Sequence, residues 1–257
     1  MPCLKKILIL PLLILSFSFH AYSAVINDAD KLVKKANELK EATKEEDALE
    51  LYLEALDHDS DNYDALWNTS LLHSTIGFRI ESKNQRKEYF EKAKNFAERA
   101  IEAYPDSVKP YYTMAVAKGR LSNVVGTRTR IQLAHEIEEN VQKAIDIKPD
   151  HAPSWHLYGV WQSEVANISR GERLAARFIS RGLPDGSNQT AMEYLNKALE
   201  LDPESIIIQM DIARHYLRIG EDEKAIPWLQ KVLEMEPKTM DDPDYQIEAK
   251  EFLSDLG

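Results

Sequence analysis

Five times along this chain of 257 residues, a ladder of small residues closes on Pro or Ser at one fixed offset. The copies run Ala48, Tyr52, Ala55, Ser60; Ala93, Ala97, Ala100, Pro105; Ile137, Val141, Ala144, Pro149; Ala191, Leu195, Ala198, Pro203; and Ala225, Leu229, Val232, Pro237. The first three marks of each copy, spaced four and then three residues, share one helical face, and the small residues at the first and third marks, either side of a larger one, let a second helix approach closely. The closing Pro lacks an N–H donor and clashes with the preceding turn, so it stops the helix. Each copy therefore reads as the second member of a helix–turn–helix unit. One such pair cannot bury its own apolar face, so successive pairs must stack.

Stacked helix pairs of this pattern resemble tetratricopeptide repeats, whose period is about 34 residues. The expected fold is all-α: an α-solenoid of about five tetratricopeptide-like helix pairs, with insertions in repeats 2–4 and a C-terminal capping helix. The repeats fall at about 29–62, 63–107, 108–151, 152–205 and 206–239, with the capping helix over 244–256. Trp155, Tyr158 and Gly159 repeat the Trp-x2-large-Gly pattern of a first helix. The closing marks lie at 60, 105, 149, 203 and 237, giving intervals of 45, 44, 54 and 34, so only the last has the standard length. The excess falls between the two helices of repeats 2, 3 and 4. Phe78 to Lys92 and Asn123 to Glu136 keep helical composition and are expected to lengthen the hairpins. The largest insertion, about 166–190, carries its own amphipathic helix and ends in a turn cluster at Gly182, Pro184 and Gly186. Asp61, Asp106, Asp150 and Asp202 precede the first helices as candidate caps.

Met1 to Ser23 reads as an export signal: Lys5 and Lys6, an apolar run from Ile7 to Phe19, then a small-x-small site at Ala21 to Ser23. Cleavage near Ser23/Ala24 would leave a single solenoid domain over 24–257, exported and periplasmic or secreted; the alternative is a membrane anchor formed by the uncleaved N-terminus. Cleavage also removes the only cysteine, Cys3, so the mature chain has no thiol chemistry. The formal charge of −11 on the full chain argues against nucleic acid as a partner, since phosphate contacts need a basic surface.

Over Val108 to Leu256 the chain is similar to the regulator of microtubule dynamics family, and resembles it more loosely over the first two repeats. The residues that carry the resemblance are Gly119-Arg120-Leu121, Gly126 with Arg128, Arg130 and Ile131, Ala144-Ile145 before Pro149, Leu157-Tyr158-Gly159-Val160-Trp161, and Leu183-Pro184. The resemblance implies a helical scaffold, associated in eukaryotic relatives with microtubules and in some with membrane contacts; this chain would be a bacterial, exported homologue.

No catalytic constellation is expected, and the chain is read as a non-enzyme without cofactor or metal. His135-Glu136 opens like a zinc-protease helix, but Glu139 stands where the second His is required, and His151 and His156 fall on different helix faces. Binding is the default use of a solenoid, because stacking curves the first helices into a concave groove. Positions two, five, six, nine, twelve and thirteen of each first helix should face it. They supply Trp67, Asn68, Leu71, Lys109, Tyr112, Val116, Arg120, His156, Val160, Met210, Arg214 and Arg218. Of these, Trp67, Asn68, Lys109, Tyr112, Arg120, His156, Arg214 and Arg218 form the candidate peptide-binding groove, suited to an extended protein or peptide with acidic groups. Within the insertion of the fourth repeat Arg170, Arg173, Arg177 and Arg181 make a basic stripe beside Leu174, Phe178 and Ile179. This helix either docks on the solenoid as a lid or serves a membrane surface or acidic partner. Trp161, at a position usually occupied by a small residue, needs a cover from outside the standard repeat.

Overall fold

The computed structural model describes residues 28–179 and 182–257, and among them the chain forms helices joined by turns, with no strand. The proposed signal, its cleavage site and Cys3 lie outside the described residues. Helix α1 spans 28–41. It is followed by α2 (Glu45–His58), α3 (Tyr63–Arg79), α4 (Lys83–Ala103), α5 (Val108–Ser122), α6 (Thr127–Ile147) and α7 (Ala152–Ala166). The chain continues through α8 (Arg170–Ile179), α9 (Asn188–Leu201), α10 (Ile206–Arg218), α11 (Asp222–Glu234) and α12 (Asp242–Leu256). The pairs are α1/α2, α3/α4, α5/α6, α7/α9 and α10/α11. Helix α8 is inserted into the fourth pair and α12 closes the end, so the described residues form an all-α solenoid of five pairs with a terminal cap.

The ladder is the packing face. Of its fifteen helical marks, fourteen are fully buried and Ile137 is 5% exposed. Helix ends follow from it too. In α2, α4, α6 and α9 the N–H of the residue after the helix bonds to the carbonyl of the third mark, at 2.9, 2.9, 3.0 and 2.9 Å. The Ser or Pro that closes each copy stands one residue further on. At the starts of the first helices, the N-caps are Asn62, Ser107, His151 and Ser205, each after the expected Asp or separated from it by a turn. The acidic residues stand outside the helix, and Asn62 accepts the cap bond from the Ala65 N–H at 3.1 Å.

The first two insertions are spent on helix length. Helices α4 and α6 have 21 residues each, against 14, 14 and 13 in α2, α9 and α11. Seven extra residues add about 10 Å of helix. In the fourth pair α7 and α9 meet closely at Gly159, where a Cβ would stand 2.8 Å from Leu195 Cγ and 2.9 Å from its backbone N. Only glycine permits that approach. At the open end, Ala249 of α12 is fully buried against Met210, Ala213, Leu229 and Val232, and Tyr245, Phe252 and Leu253 cover the same cluster. An open solenoid end needs such a cover. The first helices α3, α5, α7 and α10 neighbour one another in order, and α12 continues the row beside α10.

Candidate functional site

The inner row of helices places the candidate residues along one face, where they separate into two kinds: those the fold already uses and those it leaves free. At the α3 end, Trp67 Nε1 donates to Asp64 Oδ1 at 2.9 Å, and Lys109 Nζ lies over the indole, 3.7 Å from the ring centroid. Lys40, from the end of α1, approaches the same ring at 4.8 Å. Asn68 is fully buried; it accepts from Lys40 Nζ at 2.6 Å and donates to the Asp64 carbonyl at 2.8 Å. Its amide is thereby committed to the scaffold and holds Lys40 rather than a ligand. Burial lowers the pKa of Lys40, with the neighbouring Lys109 charge adding to it, and burial lowers that of Lys109 also.

Midway along, Arg120 stands over the ring of Phe78, its Cζ 3.9 Å from the centroid. Its guanidinium makes no hydrogen bond or ion pair with any described residue, and burial holds its pKa below the usual arginine value. Tyr112 lies two turns earlier on α5, edge-on to His151 with ring centroids 5.2 Å apart, and burial raises its phenol pKa.

At the α10 end the cations are spoken for. Arg214 donates from Nη1 to Asp211 Oδ1 at 2.7 Å and from Nε to Glu248 Oε1 at 2.9 Å, with Nη2 also on Glu248. His156 Nε2 pairs with Asp211 Oδ2 at 2.7 Å. Burial alone would raise the Asp211 carboxyl, but the His156 and Arg214 contacts outweigh it and hold it below the ordinary carboxylate range. Arg218 donates to Ser163 Oγ at 2.5 Å, and the same hydroxyl faces His215 Nδ1 at 2.8 Å. Arg214 and His156 therefore brace α7, α10 and α12 to one another. Met210, expected in the groove, is fully buried in the core beneath it.

Several groove residues were passed over in the sequence. Counted from Ala29, Lys40 holds position twelve; Glu164 and Asp211 hold positions thirteen and six of their own helices. All three therefore stand at positions that the repeat turns towards the groove, and position alone does not single out an acid as a groove residue. Glu164 is open at its surface, yet the surrounding walls exclude enough water to hold its carboxyl above the usual range, partly offset by Arg218. Phe78 lies beyond the thirteenth position, and no positional count would find it.

The insertion in the fourth repeat forms α8, which covers a cavity of about 460 Å³ lined chiefly by Ile131, Ile137, Trp161, Val165, Ala176 and Leu183. This is the cover that Trp161 requires; its Nε1 donates to the Ala134 carbonyl at 3.1 Å. A reciprocal capping box between Ser169 and Glu172 starts the helix. Arg173 points inward, donating to the Val165 and Pro184 carbonyls at 2.7 and 3.0 Å, while Arg170 and Arg177 are exposed. The stripe is thus divided, and Arg181 lies outside the described residues. Leu174 and Phe178 face solvent, 56% and 85% exposed, so the helix docks through Ala176 and Arg173 rather than through that apolar pair. No helix among the described residues is long and apolar enough to cross a membrane.

Residues 25–257 match the family described as Regulator of microtubule dynamics protein 1-3. Among similar proteins, regulator of microtubule dynamics protein 1 of Mus musculus is 25% identical over 232 residues, 88% of this chain and 74% of that protein. Protein 3 of Rattus norvegicus is 26% identical over 238 residues, 91% of this chain but 50% of that protein. The chain thus spans about half the length of the protein 3 relatives it matches. In fold it is similar to a thermophilic TPR protein of Thermus thermophilus, with a TM-score of 0.67 at 18% identity, covering 88% of this chain and 99% of that one.

Proposed function

Since the chain belongs to the regulator of microtubule dynamics family, whose tetratricopeptide-like fold is that of an interaction scaffold, we propose that it is a non-enzymatic protein that binds an extended segment of a partner along its concave face. One observation carries the reading. In a chain of formal charge −11, the inner face presents cations without carboxylate partners, Lys109 and Arg120, beside the partly exposed rings of Trp67 and Phe78. Cations seated on aromatic rings are pre-positioned for acidic side chains and cost little ordering on binding. Selection of displayed twelve-residue peptides on the full chain tests this. Enriched peptides should lose binding to a Lys109→Glu/Arg120→Glu variant that keeps its helical circular dichroism; undiminished binding would sink the groove.

A second contact surface is supported by α8. Leu174 and Phe178 project beside Arg170 and Arg177, an arrangement that suits an anionic membrane surface. Phe178→Asp should abolish co-sedimentation with anionic vesicles if α8 is used this way, and leave peptide binding intact. The exported location rests on the sequence of Met1 to Ser23; a purified chain beginning at Ala24 supports export, and a retained N-terminus favours the anchored adaptor, closer in kind to relatives named for microtubule regulation.

A further inference from the structure

We propose that the groove holds a segment carrying two carboxylate side chains about five residues apart, one seated at Lys109 with Lys40 and the other at Arg120. This rests on the groove reading above and adds a spacing rule to it. Lys109 and Arg120 lie eleven residues apart on α5. Eleven steps of 100° return to within about 20° of the starting direction, so both side chains leave one face, separated by roughly 16 Å along the axis. Tyr112 and Val116 fill the interval on that same face. An extended chain advances about 3.3 Å per residue, so it covers this distance in four to six residues.

The two stations are defined by what they lack. The acids nearest them are held by other donors, while Glu164 and Glu41 act on Arg120 and Lys40 only from a distance, without an ion pair. Asp64 accepts from Trp67; Asp241 accepts from Arg79 at 2.7 Å; Asp211 accepts from His156 and Arg214. Lys109 and Arg120 are left with ring contacts alone, and Lys40 with the Asn68 amide. A cation withdrawn from water without a counter-charge is costly to the fold, and an arriving carboxylate recovers that cost. The lowered pKa values of Lys40, Lys109 and Arg120 express the same deficit. At Arg120, Phe78 takes the face of the guanidinium and leaves its N–H groups for a bidentate carboxylate. Phosphate groups of nucleic acid are disfavoured by the acidic remainder of the molecule.

Fluorescein-labelled twelve-residue peptides of Gly, Ser and Thr, carrying two Glu residues separated by two to eight positions, test the rule by anisotropy on the full chain. A single-Glu peptide and an all-Gln peptide serve as references. Affinity should peak at separations of four to six, about tenfold above the single-Glu peptide. Arg120→Gln and Lys109→Gln should each reduce the best peptide to the single-Glu level, and Arg120→Lys, which keeps charge but loses the fork, should fall between. Binding that ignores the separation, or survives Arg120→Gln, overturns the two-station proposal while leaving the groove in place. If no peptide of the series binds, the two-station proposal is overturned, and the groove reading is judged separately by the display selection.

Discussion

Arg79, the last residue of α3, donates from Nε to Asp241 at the N-cap of α12, joining positions 162 residues apart at 2.7 Å. The same guanidinium reaches Glu45, the first residue of α2, from Nη1 at 2.8 Å. One side chain thus ties the first two helix pairs to the terminal cap, and the contacts with Asp241 and Glu45 raise its pKa against the opposing effect of burial. All three side chains are partly buried. Removing the arginine strands two carboxylates, so Arg79→Ala should cost about 2 kcal/mol, between the surface and buried limits for ion pairs. Urea unfolding measures that cost. Hydrogen exchange should rise in α12 more than in α6; equal protection in α12 would mean the clasp carries nothing.

Arg120 predicts the opposite sign. It has no ion pair to lose, and its guanidinium sits on the Phe78 ring in a site where burial lowers its pKa. Arg120→Met keeps the stem's packing and removes an uncompensated charge, so it should raise stability by about 1 kcal/mol while weakening acidic-peptide binding. A lower melting temperature for this variant would show that the arginine is structural.

His151 supplies a pH dependence. It is the N-cap of α7, where the helix dipole opposes a positive charge, and burial together with Lys148 and Lys109 lowers its pKa to about 4. Neutral imidazole accepts at Nδ1 from Ser154 Oγ at 2.7 Å. The folded value lies below the unfolded value of about 6.5. Stability from this site is therefore complete above pH 6.5 and is lost as pH falls from 6.5 towards 4, because the unfolded chain protonates first. After allowance for solvent screening at a half-buried site, the loss is about 1 to 2 kcal/mol. Unfolding free energies at pH 7 and 4.5 should converge in His151→Gln relative to wild type. Identical pH slopes would refute the assignment.

The second helices were the legible part of this chain, because Ala93, Ala97 and Ala100 and their counterparts do one thing, packing, and repeat at one spacing to do it. The groove was less legible, because a position says which way a side chain points and not what meets it there. Arg214 and Arg120 both hold groove positions; Glu248, on a helix that begins beyond the last repeat, claims Arg214, and nothing claims Arg120. Likewise the count found Asn68 without showing that Lys40 uses its amide. In α8, heptad-like spacing grouped four arginines, but the site at which the helix lands is set by backbone carbonyls of Val165 and Pro184, which no side-chain pattern encodes.

That landing site depends on Gly186. A Cβ built there would stand 2.4 Å from Ala166 N and 2.9 Å from the Gln162 carbonyl oxygen, both backbone atoms of α7 that cannot swing away. The neighbouring Ser187 N–H is meanwhile fixed on Gln162 Oε1 at 3.0 Å, so the segment cannot slide outward without breaking a bond. Gly186→Ala should therefore lift the 182–187 segment, lose the Ser187 bond and loosen α8 over its cavity, at about 2 kcal/mol. Limited proteolysis should cut this variant within α8, while the α10–α12 end stays resistant because its cluster is separate. Cleavage at the wild-type rate would show that α8 is held by Ala176 and by Arg173 on the Val165 carbonyl, independently of the segment that follows it.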